Sequence, residues 1–537
     1  MFNEQEKREQ HISKLFGDAK VRRTEAQAYW QRMRSYYDGT HETARKTGDF
    51  LASVNIPWSP AQVPDAYMHV ESQVSSKMPD FEFAPRTKAD VETAKTREKL
   101  VRYICDINGM ERKNAENERR LNIFGSAVWK VYAAEDERGM AEVMVEAPLP
   151  EDIYPDPNSS SIDECEFIGY SYKMSKAKAE RIFADDFALM GTTLDELIDE
   201  AKRDKRTRES FDLDIFGEDN PCVDVLEWWY RQSADGSFAL SDGSICNYAR
   251  GDVALSILIG GKEIRNVPKF WTNTPCRRFP FVIYNRIPKD GSIWGKSELE
   301  HIIPLIDAAD RQMAFAQLNA AFFANDILVY EENAFSPDSF PDNRPGAVWK
   351  LRPGMMEKVA RLGGLSQQSE AHYDIVEKYR TMIKEALGNY DYMQGDYSTN
   401  ITTATGLALL SDLATERMNA KNVCKKAGFG ELYRLMDLFA LEFYTDKKVE
   451  LITGEAADDR FDLGYAPELD VRIHIGEGIE NSRSFTVSAL GELMNTNVTA
   501  ENYPMVRAYV SAIDVPTKTD IIAELDKKFK NEKESYE

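Results

Sequence analysis

The sequence predicts an α+β fold built from several structural units, and three observations carry that prediction. Apolar residues recur at helical spacing toward both ends of the chain but alternate at period two between about residues 127 and 284. At 537 residues the chain exceeds a single ordinary hydrophobic core. The third observation is Met393–Gly406, MQGDYSTNITTATG, a polar interval whose one charge is Asp396, set between two strongly helical segments. About four residues suffice to join two helices, so a longer uncharged connection points to a surface kept in contact with something.

Taken in order, Glu4–Phe16 and Ala26–Tyr37 read as amphipathic helices, and Tyr37-Asp38-Gly39 turns the chain. Ala52–Pro85 reads as a loop, a short helix and an extended stretch. A charged helix follows over about Ala89–Ile107, with Leu100, Val101, Ile104 and Ile107 on one side. A further helix runs to Phe124, where Gly125 stops it. Ala127–Tyr132 and Ala141–Val145 alternate around the turn Glu135–Gly139, which is the pattern of a β-hairpin. After the turn-rich Pro148–Ser161, Thr193-Leu194-Asp195-Glu196 is a capping box opening a helix. That helix runs into the charged Lys202–Asn220, read as a mobile loop. Short strands are expected at Val223–Arg231, Ser237–Leu240, Val253–Ile259 and Phe281–Tyr284.

From Lys296 the character changes. Pro304 marks a helix start, where its missing N–H costs nothing. Seven alanines among the 17 residues Ala308–Ala324 make this a slim helix that neighbours can approach closely. Asn325–Leu365 reads as short strands and turns. Gln367–Leu387 reads as a helix with Ile375, Tyr379, Met382, Ile383, Ala386 and Leu387 on its stripe and Gly388 as its stop. Beyond the polar interval a long helix runs from Leu407 to about Tyr444, interrupted by Gly428 and Gly430. Short strands near Val449–Ile452 and Val471–Ile475 precede helices at Arg483–Met494, Asn502–Ala512 and Lys518–Lys530.

Charge and composition narrow the function. A formal charge of −23 argues against a sequence-specific DNA reader, though an acidic wall lets a polyanion slide without sticking. The six cysteines are scattered with no C-x-x-C pair, and read as reduced, part-buried thiols made in a cytoplasm. MFNEQEKREQ lacks a hydrophobic signal core and no apolar run approaches about 18 residues, so neither secretion by a signal peptide nor a membrane span is expected.

Gly291-Ser292-Ile293-Trp294-Gly295-Lys296-Ser297 imitates a phosphate-cradling P-loop, following an apolar strand and preceding a helix. Its glycine spacing is one residue short, and Asp290 stands where the first glycine belongs. The six histidines form no H-E-x-x-H and no metal set, and no G-x-S-x-G elbow exists; catalytic residues, metals and cofactors are expected to be none. Acidic pairs such as Asp185-Asp186 and Asp458-Asp459 read as solvated surface. The locally basic stretch is Arg344–Arg361, where Arg344, Lys350, Arg352, Lys358 and Arg361 stand against Glu357 alone. Lys421, Lys425 and Lys426 read as a solvated helix face.

The succession of helix, small β insert, helix, polar loop and long broken helix resembles the portal proteins of tailed bacteriophages, of the larger podovirus-like kind. WGKSELEHIIPLIDAADRQMAFAQLNAAFFANDILVY looks like that family's entry into its first stem helix. ALGNYDYMQGDYSTNITTATGLALLSDLATERM looks like its second stem helix, tunnel loop and following wing helix. YYDGTH, VNIPWSPAQVPDAYMHVESQVSSKMPDFEFAP and EAPLPEDIYPDP fit its wing. The resemblance implies a portal fold. Its wing would be residues 1–296, its stem 297–324 and 366–388, and its clip 325–365. A tunnel loop would follow at 389–405, a channel-lining wing helix with return strands at 406–480, and a short helical crown at 481–537.

It further implies a homo-oligomeric ring of twelve at one capsid vertex of the virion, synthesised in the host cytoplasm. Such a ring is the channel for genome packaging and ejection. The implied partners are double-stranded DNA, the major capsid protein, a scaffolding protein, the terminase large subunit and a head-completion or tail adaptor protein. On this map Gln394, Asn400, Thr402, Thr403 and Thr405 would make weak, exchangeable contacts with DNA, and the basic residues Arg344–Arg361 would touch DNA, terminase or adaptor. Two other readings compete: a P-loop-type nucleotide-binding motor centred on Gly295-Lys296-Ser297, and another phage structural protein such as a capsid or adaptor subunit.

Overall fold

Two antiparallel sheets and the helices that cover them form the main core of the computed structural model. It describes residues 4–41, 65–74, 78–86, 90–203, 222–239, 245–324, 327–331, 333–336, 350–362, 368–387, 404–454, 469–474 and 506. The first sheet has three strands in the order Phe281–Asn285, Ser126–Glu135, Ala141–Glu146. The second has five, in the order Lys262–Val267, Val253–Ile259, Cys222–Arg231, Phe167–Ser175, Ile153–Pro155. All their pairings are antiparallel. Mixed helix and strand content agrees with the α+β expectation.

The expected hairpin is present. Asp136 builds its turn, accepting hydrogen bonds at Oδ1 from the amides of Arg138 (2.8 Å) and Met140 (2.9 Å). The capping box is present too. The Thr193 amide donates to Glu196 Oε2 at 3.1 Å, and the Glu196 amide donates to Thr193 Oγ1 at 3.4 Å.

Phe167–Ser175 pairs along its whole length with Cys222–Arg231, from Phe167 opposite Tyr230 to Ser175 opposite Cys222. No strand was expected there, nor at Ile153–Pro155, Ile245–Tyr248 or Lys262–Val267. FIGYSYKMS is buried on both sides over its first four residues, so it lacks the alternation that marks a half-exposed strand. The helix Glu4–Arg22 covers the outer face of the five-stranded sheet, setting Ile12, Phe16 and Ala19 on Tyr154, Leu226, Trp228 and Leu258.

The helix Val91–Ile107 buries Leu100, Val101 and Ile104 as expected, but Ile107 is exposed. The next helix, Met110–Phe124, ends on Gly125 in the left-handed conformation at φ +80°. A Cβ there would lie 2.5 Å from the Ser297 nitrogen and 2.6 Å from the Lys296 carbonyl oxygen. Gly125 is therefore both a helix stop and the seat of the segment leading into the next long helix.

That helix spans Leu299–Ala324, so Pro304 is inside it and not at its start. Ser297 sets the boundary instead, its Oγ accepting the Leu299 amide at 3.2 Å and donating to the Asn122 carbonyl at 2.7 Å. Pro304 forgoes one bond to the Glu300 carbonyl while Leu299, Ile302, Ile303 and Ile306 bury the same turns. Gln368–Leu387 runs back along it antiparallel. Ile383 and Leu387 share the cluster of Leu299 and Ile306, and His372 Nδ1 meets Gln312 Oε1 at 2.9 Å farther out. On its stripe Val376 joins Ile383 and Leu387 as buried, whereas Met382 and Ala386 are exposed.

The helix Ala404–Phe443 continues without interruption through Gly428 and Gly430. Gly428 is required by packing: a Cβ there would sit 2.7 Å from Cδ1 of the Tyr284 ring. Val449–Ile452 belongs to a helix, Asp446–Thr453, and not to a strand; Val449 is buried while Leu451 two positions on is exposed. Asp470–His474 is a strand as expected and pairs with Asp80–Ala84. The expected loop at Lys202–Asn220 lies largely outside the described residues, and the expected C-terminal helices fall there too.

Candidate functional site

Three structural features frame the expected site residues: the root of the antiparallel helix pair, the insert at its far end, and the anchorage of the long helix. At the root, a row of buried polar contacts clamps Leu299–Ala324 to the helices before it. Tyr36 donates its hydroxyl to Asp307 Oδ1 at 2.6 Å, and His41 Nε2 meets Asp310 Oδ2 at 2.7 Å with both side chains buried. His69 meets Glu298 at 3.3 Å, while Arg286 bonds the same carboxylate at 2.8 Å and Gln73 at 2.6 Å. Each partner satisfies a group too costly to bury alone, so the clamp fixes the angle at which the helix leaves the body.

The insert between the two helices is a ladder of short pairings. Ile327–Tyr330 pairs antiparallel with Val359–Leu362. One step out, the Ser336 amide donates to the Lys350 carbonyl and the Arg352 amide to the Ala334 carbonyl, both at 3.1 Å. Lys350 and Arg352 are exposed on this ladder. Lys358, ending the turn Met356–Lys358, donates to Glu331 Oε1 at 2.7 Å. That pair is exposed on both sides, so it stabilises by about 0–1 kcal/mol. Glu331 lies outside the stretch that seemed to hold Glu357 alone, and it reduces the net positive charge there. Arg361 occupies the strand opposite Leu328. Arg344 lies outside the described residues.

Gln394, Asn400, Thr402 and Thr403 also lie outside the described residues, while Thr405 falls in the first turn of the helix Ala404–Phe443. The far half of that helix is anchored in the main core. Phe429, Leu432, Tyr433, Met436 and Phe439 enter the main core. Arg97 and Asp437, both buried, form an ion pair through two guanidinium nitrogens. Glu442 accepts the amides of Thr272 (2.7 Å), Asn273 (2.9 Å) and Thr274 (2.7 Å) and the Thr272 hydroxyl (2.8 Å). Lys425 is buried against Glu118 at 2.6 Å, not solvated as its neighbours in sequence suggested; Lys426 is half-buried. Asp186, expected as solvated surface, pairs through both oxygens with Arg265.

Lys448 ties the end of this unit to the β-hairpin, donating to Asp136 Oδ2 at 2.9 Å and Glu142 Oε2 at 2.6 Å. Burial alone would lower the Lys448 pKa, but the bonds to the two carboxylates outweigh it and hold it above its ordinary value. The Lys448 hydrogen bond brings Asp136 down to about 2. Asp136 then contributes stability above the ordinary carboxylate pKa near 3.9, lost as pH falls through about 2. Lys448 contributes below the ordinary lysine pKa near 10.4, and that share is lost as pH rises through its folded value. Denaturant melts of Lys448→Met and the parent protein should therefore differ most between about pH 4 and 10 and converge toward pH 2. A difference independent of pH would assign Lys448 a packing role alone.

The P-loop look-alike is already occupied by its own fold. The Gly295 amide donates to Ser126 Oγ at 2.9 Å, the Lys296 amide to the Ile287 carbonyl at 2.8 Å and the Ser297 amide to the Tyr29 hydroxyl at 2.8 Å. A phosphate would find none of these three donors free. Burial raises the Cys105 thiol to about 12 and Cys165 to about 11, so both are inert thiols near neutral pH. Among the described residues no three His, Cys, Asp or Glu side chains converge as a metal site, and no helix is long and apolar enough to cross a membrane.

A comparison with protein-family models matches residues 62–405 to the phage P22-like portal protein. That span takes in the three-stranded and five-stranded sheets, the antiparallel helix pair and the insert between its helices. No curated protein matches the chain. The portal family is structural and not enzymatic, and it implies an oligomeric, capsid-associated assembly of the virion. With more than half of its 537 residues matched, the chain belongs to the phage P22-like portal protein family, the head-to-tail connectors of bacteriophages.

Proposed function

We propose that the protein assembles into a closed ring of twelve at a single capsid vertex and conducts double-stranded DNA during packaging and ejection. In this reading residues 1–296 form the wing, 297–324 and 366–388 the stem, and 325–365 the clip. Residues 389–405 form the tunnel loop, 406–480 the channel-lining helix with its return strands, and 481–537 the crown. The major capsid protein surrounds the ring, and a scaffolding protein guides its incorporation. The clip receives the terminase large subunit during packaging and the head-completion or tail adaptor afterwards.

One observation carries the reading: the antiparallel helix pair stands on a clamped root, carries a β ladder at its far end, and precedes a long helix whose far half is anchored in the main core. A helix held by Arg97, Glu118 and the 272–274 amides is a fixed arm. The polar segment that precedes this arm in sequence is, in this reading, the part that touches what passes. Its composition suits sliding: Gln394, Asn400, Thr402, Thr403 and Thr405 offer neutral donors that exchange readily, whereas lysines there would pin a duplex. Twelve copies would carry roughly −276, so the wall repels DNA instead of trapping it. Arg344, Lys350, Arg352, Lys358 and Arg361 supply the positive counterpart at the clip, for DNA or for acidic partners.

Deleting Asp396–Thr403 tests the loop's part. Rings are expected to form in normal yield while packaged DNA falls to background, read by native mass spectrometry and by nuclease-protected DNA. Failure of assembly would make the segment a packing element instead.

A further inference from the structure

A second cation-rich site lies away from the clip, beside the segment that imitates a P-loop. A cavity of about 520 Å³ opens between the helix junction at Arg22 and Arg23, the strand end at Tyr154 and the segment 289–296. Four cationic side chains line it: Arg22, Arg23, Lys289 and Lys296. In a chain of net charge −23 that grouping is unusual. Among the described residues Arg22, Lys289 and Lys296 take part in no ion pair. Arg23 is buried, with its guanidinium 3.7 Å from the centre of the Tyr154 ring and one nitrogen donating to the Ile153 carbonyl at 2.8 Å. Its Nε is buried with no hydrogen-bond partner.

Three carboxylates also line the cavity, and two of them are occupied. Glu300 accepts the Tyr29 hydroxyl at 3.3 Å. Asp156 Oδ1 holds the Asn158 amide at 3.0 Å. Glu25 is exposed on the helix surface. The lining therefore carries four cationic groups against three carboxylates, and a buried guanidinium N–H without a partner is costly until an acceptor arrives. A tetrahedral oxyanion supplies several acceptor oxygens at once and fits Arg and Lys together, while a cation would leave the orphan donor unpaired and a neutral acceptor would leave the excess positive charge unbalanced.

We propose that this cavity is a phosphate-binding site, with Arg23 as its floor and Arg22, Lys289 and Lys296 at its mouth. It works through side chains, since the backbone amides of the neighbouring glycine segment are spent within the fold. The ligand is a phosphate group, either free or terminal, or the phosphodiester of a nucleic-acid strand. The site does not depend on the ring or on the proposed path of the DNA.

Isothermal titration of the full-length protein with inorganic phosphate, with a short oligonucleotide lacking terminal phosphates, and with succinate tests it. Saturable phosphate binding is expected, weakened at least about tenfold in Lys289→Gln/Lys296→Gln and falling with added salt. An unchanged melting temperature of that variant shows that the fold is kept, because neither lysine is in an ion pair. Oligonucleotide binding lost in the same variant assigns the phosphodiester, and binding of inorganic phosphate alone assigns the free or terminal group. Affinity unaffected by the double substitution, succinate bound as tightly as phosphate, or no saturable binding at all would each overturn the proposal.

Discussion

Gly125→Ala is expected to cost roughly 3–6 kcal/mol, a large share of the roughly 5–15 kcal/mol that holds a domain folded. Two effects add. The left-handed backbone at φ +80° strains any residue with a Cβ, and that Cβ would enter the backbone of Lys296 and Ser297. Gly109 separates them, because it is also left-handed at φ +55° but has nothing within 4 Å of an added Cβ. Gly109→Ala should therefore cost only about 1–2 kcal/mol. Urea melts of the two variants measure the difference. Equal losses would mean that Gly125 matters only for its backbone angle, and that the seat beneath Ser297 is not tight.

The second large effect is expected at the ion pair anchoring the long helix. Arg97→Ala should destabilise the fold by about 3–5 kcal/mol, because it strands the buried Asp437 carboxylate without its partner. The double variant Arg97→Met/Asp437→Leu removes both charges and should recover most of that loss. The same melts report it. If the single and double variants proved equally unstable, lost packing volume and not the stranded charge would be the cause.

Much of the fold was legible wherever a local pattern carries the structural reason. The capping box at Thr193, the hairpin turn at Asp136 and the stop at Gly125 are set by side chains within a few residues of the backbone they satisfy. The antiparallel helix pair follows from its stripes. The misreadings share one cause: the deciding partner is distant in sequence. Lys425 looks solvated until Glu118 is set beside it. Gly428 looks like a helix break because glycine is a poor helix former, yet the Tyr284 ring requires it and the packed helix continues. Pro304 looked like a helix start because its missing N–H costs nothing there, whereas the true boundary at Ser297 is fixed by the Asn122 carbonyl, distant in sequence. The strand at Phe167–Ser175 escaped notice because burial on both sides of its first half erases alternation, and Lys262–Val267 because it is largely polar and its register shifts between Glu263 and Arg265. For the candidate site, the loop's composition was readable at once, while Glu331 could join the insert's charges only through strand pairing.

The proposed closure of this chain into a ring around a bore wide enough for a DNA duplex is measured most directly by electron microscopy of the purified protein under assembly conditions. Ring-shaped particles with twelvefold symmetry and an open central channel are expected. A strictly monomeric protein, or an assembly of another architecture without an axial channel, would contradict it.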